Sequence, residues 1–167
     1  MTTSNIRFLG IDPGTATTGW AILECSNNNS KPVAYGAIVT DKNKSDEERL
    51  WEICQDLEEI IKKYKPAEAA VENLFFFKNQ KTIITVAQAR GAILLTLKKN
   101  RVKIFSYTPL QVKQGLTGYG RAEKKQVQLM AKEILKLKSV PKPDDTADAM
   151  AICLCHINSR KLLNLIR

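Results

Sequence analysis

Residues 82–97 form an apolar segment with almost no polar face. Ile83, Ile84, Val86, Ala87, Ala89, Ala92, Ile93, Leu94, Leu95 and Leu97 fill it. A helix that is apolar all round must be covered all round. In a chain of 167 residues, a sheet can cover one side, and the other side then calls for a second copy of the same chain. The segment therefore predicts a homodimer through helix 82–97. Central burial within one chain is the alternative.

The flanking pattern supplies the sheet. Residues 7–12 and 19–24 alternate as strands around the turn signal Pro13-Gly14, and 33–40 reads as a third strand after a turn at 27–31. These three make an antiparallel meander. Leu50, Ile53, Leu57, Ile60, Ile61 and Tyr64 then recur at helical spacing. Ser45 and Glu48 form a capping box at the start of that helix, and Pro66 stops it. Residues 69–72 form a short strand after a helix, which suggests a crossover to a parallel position. Residues 102–107 give a fifth strand. The stretch with Gly115, Gly118 and Gly120 reads as a mobile loop. Residues 124–135 read as an amphipathic helix, with Val127, Met130, Ala131 and Ile134 inward and Lys125, Lys132 and Lys136 outward. Asp144, as N-cap, starts a last helix that runs past His156. The expected fold is α/β, one domain over residues 1–167, with a mixed five-stranded sheet (three antiparallel strands, then two parallel) flanked by helices.

Charge is unevenly placed. Residues 78–138 hold fourteen Lys or Arg and two acids, a net +12, while the rest of the chain is −3. A basic stripe beside clustered acids suits a polyanionic partner such as nucleic acid. The chain has four cysteines, no C-x-x-C pair and one histidine, so a zinc site is not expected. No apolar run reaches the ~18 residues of a membrane span, and residues 1–7 lack the apolar core of a signal peptide. The expected location is the cytoplasm.

Four acids stand where an acid is costly. Asp12 ends an apolar strand, Glu72 ends Ala69-Ala-Val-Glu72, and Asp145 and Asp148 are spaced to share one face of an apolar helix. If the first and fourth strands are neighbours, Asp12 and Glu72 meet at one end of the sheet. Carboxylates gathered this way repel and need a cation. An all-oxygen donor set suits Mg²⁺, with Mn²⁺ as a substitute, and one or two such ions per subunit could serve phosphodiester hydrolysis.

At these positions the sequence resembles the RuvC family of Holliday-junction resolvases, in the RNase H-like superfamily. Gly10-Ile-Asp-Pro-Gly14 with Thr18-Gly19 is similar to the family's first motif. Val71-Glu72, Phe75 and Lys78-Asn79 are similar to its second, and Gln88-Ala-Arg-Gly91 to its dimer helix. Val112-Lys113-Gln114 and Ala122-Glu-Lys124 are similar to its DNA-contacting segments, and Asp145-Thr-Ala-Asp148 to its last motif. Asn73 departs from the Gln or Glu usual there. The resemblance implies catalytic, metal-holding roles for Asp12, Glu72, Asp145 and Asp148. It also implies DNA contacts by Phe75, Lys78, Lys113 and Lys124, with Phe75 stacking on bases. Its further implications are a homodimer making paired symmetric nicks in four-way junction DNA during recombination and repair, and a branch-migration helicase complex of the RuvA–RuvB type as partner. One rival is an RNase H-like nuclease with another nucleic-acid substrate. Another is an actin-like ATPase, because Asp12-Pro-Gly-Thr15 locally fits a phosphate-binding turn. A third is a junction-binding protein without activity, which the presence of all four acids disfavours.

Overall fold

The structure is a computed structural model that describes residues 5–26, 29–74 and 80–165. The elements are β1 (Ile6–Asp12), β2 (Thr17–Ser26), β3 (Asn29–Val39), α1 (Asp46–Tyr64), β4 (Glu68–Glu72), α2 (Gln80–Lys99), β5 (Lys103–Tyr107), α3 (Pro109–Thr117), α4 (Lys124–Ile134) and α5 (Asp144–Leu165). The strands form one sheet in the order β3-β2-β1-β4-β5. β1 pairs antiparallel with β2, and β2 with β3, while β4 runs parallel to both β1 and β5. This is the expected mixed five-stranded sheet, with three antiparallel strands followed by two parallel ones.

Side chains alternate across the sheet and divide the core in two. Leu9, Ile11, Ala69 and Val71 meet α1 and α2 through Ile53, Leu57, Ala89, Ile93 and Leu97. Phe8, Ala21, Leu23 and Ala70 meet the other layer, where Val112 of α3, Val127 of α4 and the buried run Ala149–Cys155 of α5 pack together. Asp12 and Glu72 share the alternation of Phe8 and Ala70, so both lie on the α5 face of the sheet.

Helix α1 begins at the expected capping box: Ser45 accepts from the Glu48 amide, and Glu48 accepts from the Ser45 amide. The apolar helix α2 buries Ala89, Ile93 and Leu97 inward but leaves Ile84 at 62% and Leu95 at 70% exposure. Central burial within one chain is therefore excluded.

Four expectations need correction. The reversal after β2 is tighter than a turn at 27–31, because Asn29, Ser30 and Lys31 already pair with Ser26, Cys25 and Glu24. The stretch read as a loop contains α3, which is built by Thr108 and Gln111 as a capping box, with Pro109 in the first turn and Gly118 closing the helix at φ 72°. Helix α4 turns Val127, Gln128 and Ala131 inward, whereas Met130 and Ile134 are exposed. Asp144 is the first residue of α5 rather than its cap, and its carboxylate pairs with Lys142.

Candidate active site

Register brings the first two acids together. Ile11 lies opposite Val71 in the parallel β1–β4 ladder, and the next residue of each strand is Asp12 and Glu72. The other two acids arrive on α5, which must lie unusually close to the sheet. Glycines make this approach feasible. A Cβ on Gly10 would collide with the Ala149 carbonyl, and one on Gly19 would collide with the Asp145 carbonyl. The glycines of the first motif thus let the first turns of α5 settle across β1 and β2.

Asp12, Glu72 and Asp148 line one open cleft of about 360 Å³, together with Lys113, Lys124, Pro109 and Val112. Asp145 is not among the lining residues, yet it is near enough to disfavour charge on Asp12. Burial, then repulsion from Glu72, Asp148 and Asp145, pushes the Asp12 carboxyl up to about 8, although Lys124 opposes the rise. Burial followed by repulsion from Asp148 raises Glu72 to about 7, again opposed by Lys124. Among the described residues, Asp12 and Glu72 accept no side-chain hydrogen bond that would offset this. No three Asp, Glu, His or Cys side chains there form a ready-made cage for an ion.

Asp148 is the acid with partners. Lys124 Nζ stands 2.6 Å from its Oδ2, and Gln128 Nε2 donates to its Oδ1 at 2.9 Å. Burial works against the charge on Lys124, but Asp148 and Asp12 outweigh it and raise its pKa. Lys113 lines the same cleft on α3. Phe75 and Lys78 lie outside the described residues.

The segments behind the acids are braced from the α1–α2 side. Arg90 of α2 donates to the Glu72 carbonyl at 3.0 Å and to Ser106 Oγ at 3.0 Å. Thr15, in the turn after Asp12, donates to the Thr85 carbonyl at 2.7 Å, and Thr40 donates to the Thr15 carbonyl at 2.7 Å. Sequence reasoning missed Gln128 and Thr15 and assigned Arg90 to the dimer helix alone. Gln128 had one usable signal, because it stands one helical turn after Lys124 and so shares its face.

The strand order, the two acid-tipped central strands and the helix laid across them define an RNase H-like fold. The profile of one family of that fold, described as crossover junction endodeoxyribonuclease RuvC, matches residues 8–156, and the chain belongs to this RuvC family. A RuvC from Fusobacterium nucleatum is 55% identical over 154 residues, which is 92% of this chain and 81% of the relative. A RuvC from Caldanaerobacter subterraneus is 50% identical over 158 residues, 95% of this chain and 96% of the relative. The solved structure of T. thermophilus RuvC in complex with Holliday junction substrate is similar with a TM-score of 0.88. Identity to it is 32%, covering 94% of this chain and 96% of that one.

Proposed function

We propose that this protein is a structure-selective endodeoxyribonuclease that resolves four-way DNA junctions by paired symmetric nicks in recombination and repair. The observation that carries this reading is one cleft, in a chain of the RuvC family, that joins Asp12, Glu72 and Asp148 to Lys113 and Lys124. Family membership favours junction DNA over the RNA–DNA hybrid and ATPase alternatives.

Asp12, Glu72, Asp145 and Asp148 would hold divalent metal, with Mg²⁺ preferred, Mn²⁺ a substitute, and one or two ions per subunit. The donors fit. They are all carboxylate oxygens, and burial and mutual repulsion raise Asp12 and Glu72 despite Lys124, so a cation among them would be favoured. When bound, the metal supplies an activated water and charge neutralisation at the scissile phosphate. The chain's own residues do the rest. Asp12, at the tip of central β1, places its carboxylate between those of β4 and α5. Lys113 and Lys124 draw the phosphate backbone into the cleft. Arg90 and Thr15 hold the strand ends so that the acids keep their spacing. Phe75 would stack on a base beside the cut and Lys78 would contact the backbone.

Dimerisation would use the open stripe of α2. Ile84, Ala87, Gln88, Gly91 and Leu95 are exposed on one face, and a Cβ on Gly91 would meet nothing within 4 Å. A two-fold axis there gives two symmetric sites, which suits paired cuts in a nearly symmetric junction. A branch-migration helicase complex of the RuvA–RuvB type would deliver the substrate. The reading places the protein in the cytoplasm, and no described helix is long and apolar enough to cross a membrane.

The test is cleavage of a four-way junction with Mg²⁺ by the wild type and by Asp12→Asn. Binding without cutting by the variant is expected, and equal cutting by both overturns the assignment. Competition with an RNA–DNA hybrid checks the substrate class. Sedimentation checks the dimer: a monomer mass at micromolar concentration removes it.

A further inference from the structure

We infer that α4 serves Asp148 through two partners of different permanence. Gln128 is a fixed positioning residue, and Lys124 is an exchangeable counter-charge that must leave Oδ2 before a divalent cation can take it. The inference rests on the reading of Asp148 as a metal-holding carboxylate and goes beyond it.

Both oxygens of Asp148 are already engaged, one by each side chain. Gln128 Nε2 donates to Oδ1 at 2.9 Å, and Lys124 Nζ meets Oδ2 at 2.6 Å. The two partners stand one turn apart on α4, so a single helix face presents both. They differ in freedom. Gln128 is 7% exposed and shares the inward face of α4 with Val127 and Ala131, which are packed in the core. Its side chain is largely covered, and its loss would leave a half-buried carboxylate oxygen without its donor. The side chain of Lys124 is 58% exposed, while that of Asp148 is 20% exposed. A long, solvated ammonium can rotate out into water, where it is hydrated again, whereas a largely covered amide would lose its acceptor with little water to replace it.

The consequence is a division of labour. Gln128 holds Oδ1, fixes the plane of the carboxylate and so aims Oδ2 into the cleft. A donor behind a metal-holding group typically changes metal affinity by about 10–100-fold. Lys124 occupies the cation's side of Asp148 while DNA is absent. A backbone phosphate offers the ammonium an alternative anion in the same cleft, so junction binding would draw Lys124 off Asp148 and free Oδ2. Because coupling between two binding events is reciprocal, metal and junction each favour the other through this one side chain. A lysine remote from the acids that only contacted DNA would not affect metal binding in the absence of DNA.

The experiment is titration of Mn²⁺ into the DNA-free full-length protein, followed by loss of the free-ion electron paramagnetic resonance signal. Wild type, Asp148→Asn, Gln128→Met and Lys124→Met are compared, and junction affinity is measured separately in chelator. Gln128→Met should weaken Mn²⁺ binding by about tenfold or more with junction affinity in chelator unchanged. Lys124→Met should tighten Mn²⁺ binding and weaken junction affinity, two effects of opposite sign from one substitution. If Asp148→Asn binds Mn²⁺ as the wild type does, the metal-site reading itself fails. If Asp148→Asn loses Mn²⁺ but Gln128→Met matches wild type, the positioning role is overturned and the metal site stands. Unchanged or weaker Mn²⁺ binding by Lys124→Met overturns the exchange. Gln128→Met keeps the side-chain volume; should its near-ultraviolet circular dichroism depart from wild type, Gln128→Asn, an amide too short to reach, repeats the test.

Discussion

Strand β4 carries two glutamates on the same face of the sheet, and they lead opposite lives. Glu68 opens the strand and is fully answered. Its Oε2 lies 2.8 Å from His156 Nε2 and 3.2 Å from Arg160. The other ring nitrogen of His156, Nδ1, lies 2.8 Å from the Tyr107 hydroxyl. Burial lowers the pKa of His156 despite Glu68, so the imidazole is neutral. Nε2–H then donates to the carboxylate, and Nδ1 accepts from Tyr107. Phe8 and Phe105 close around the ring. Glu72 closes the same strand with no such partner among the described residues and faces Asp12 and Asp148 instead. Helix α5 spans the same two ends: Asp148, itself held by Lys124 and Gln128, joins Asp12 and Glu72 at one, and His156 meets Glu68 at the other. A fold selected for stability alone would satisfy both ends. Leaving Asp12 and Glu72 at one end with charges that Lys124 offsets only in part points to that end as the candidate site.

The largest expected effect breaks the bare end. Asp12→Asn removes the central carboxylate and should lower junction cleavage by about a thousandfold. The same substitution relieves repulsion, so the metal-free variant should melt above the wild type near pH 8. An activity loss paired with a stability gain is the signature of a strained functional group. A variant that loses both would assign Asp12 to the structure instead.

The satisfied end should respond the opposite way. Glu68→Ala leaves the buried, neutral His156 without its acceptor and the part-exposed Arg160 without its partner and should cost about 2 kcal/mol, read by urea unfolding. The rate of cleavage per folded molecule should stay near wild type. A large drop in that rate at saturating junction would show that the two ends are one unit and dissolve the contrast.

A smaller effect follows from titration. Asp12 and Glu72 are raised from 3.8 and 4.5 to about 8 and about 7. Between those limits the native, metal-free protein binds more protons than the unfolded chain, so its stability falls as pH rises from about 4 to about 8. Below that window both states are protonated, and above it both are ionised, so the dependence flattens. Saturating Mg²⁺ or Asp12→Asn should reduce the slope, and thermal midpoints across the window read it. A slope of the other sign would mean that the carboxylates are compensated without metal.

The two ends were not equally legible in the sequence. Asp12 and Glu72 could be found because an acid at the tip of an apolar strand has little else to do, and the parallel β1–β4 pairing then brings them together. Glu68 and His156 carried no signal, because their meeting joins positions far apart in the sequence through a crossover. Helix α3 was missed for a local reason: its three nearby glycines masked the Thr108–Gln111 cap. Helix α4 was read a quarter-turn off because Met130 and Ile134 are apolar yet exposed, while the polar Gln128 is drawn inward by Asp148. A polar residue buried for the sake of a site defeats periodicity, which assumes that only apolar residues go inside.

The mildest test concerns the lysines at the two ends. Lys113 lines the cleft with the bare acids, whereas Lys31, toward the far end of the sheet, is held 3.0 Å from Glu24. Both are single positive charges on a basic protein, so net charge alone predicts equal effects on DNA binding. Position predicts otherwise. A lysine that neutralises a phosphate releases condensed counter-ions, and its loss should flatten the dependence of log affinity on log salt by ~0.9 for each contact removed. Lys113→Ala should show that change in junction binding measured across salt concentrations, with a uniform fall in affinity. Lys31→Ala should leave the slope unchanged, because its charge is already spent on Glu24. Equal slopes for the two variants would mean that DNA senses the whole basic surface, and the cleft would lose its claim to be the place where the backbone is held.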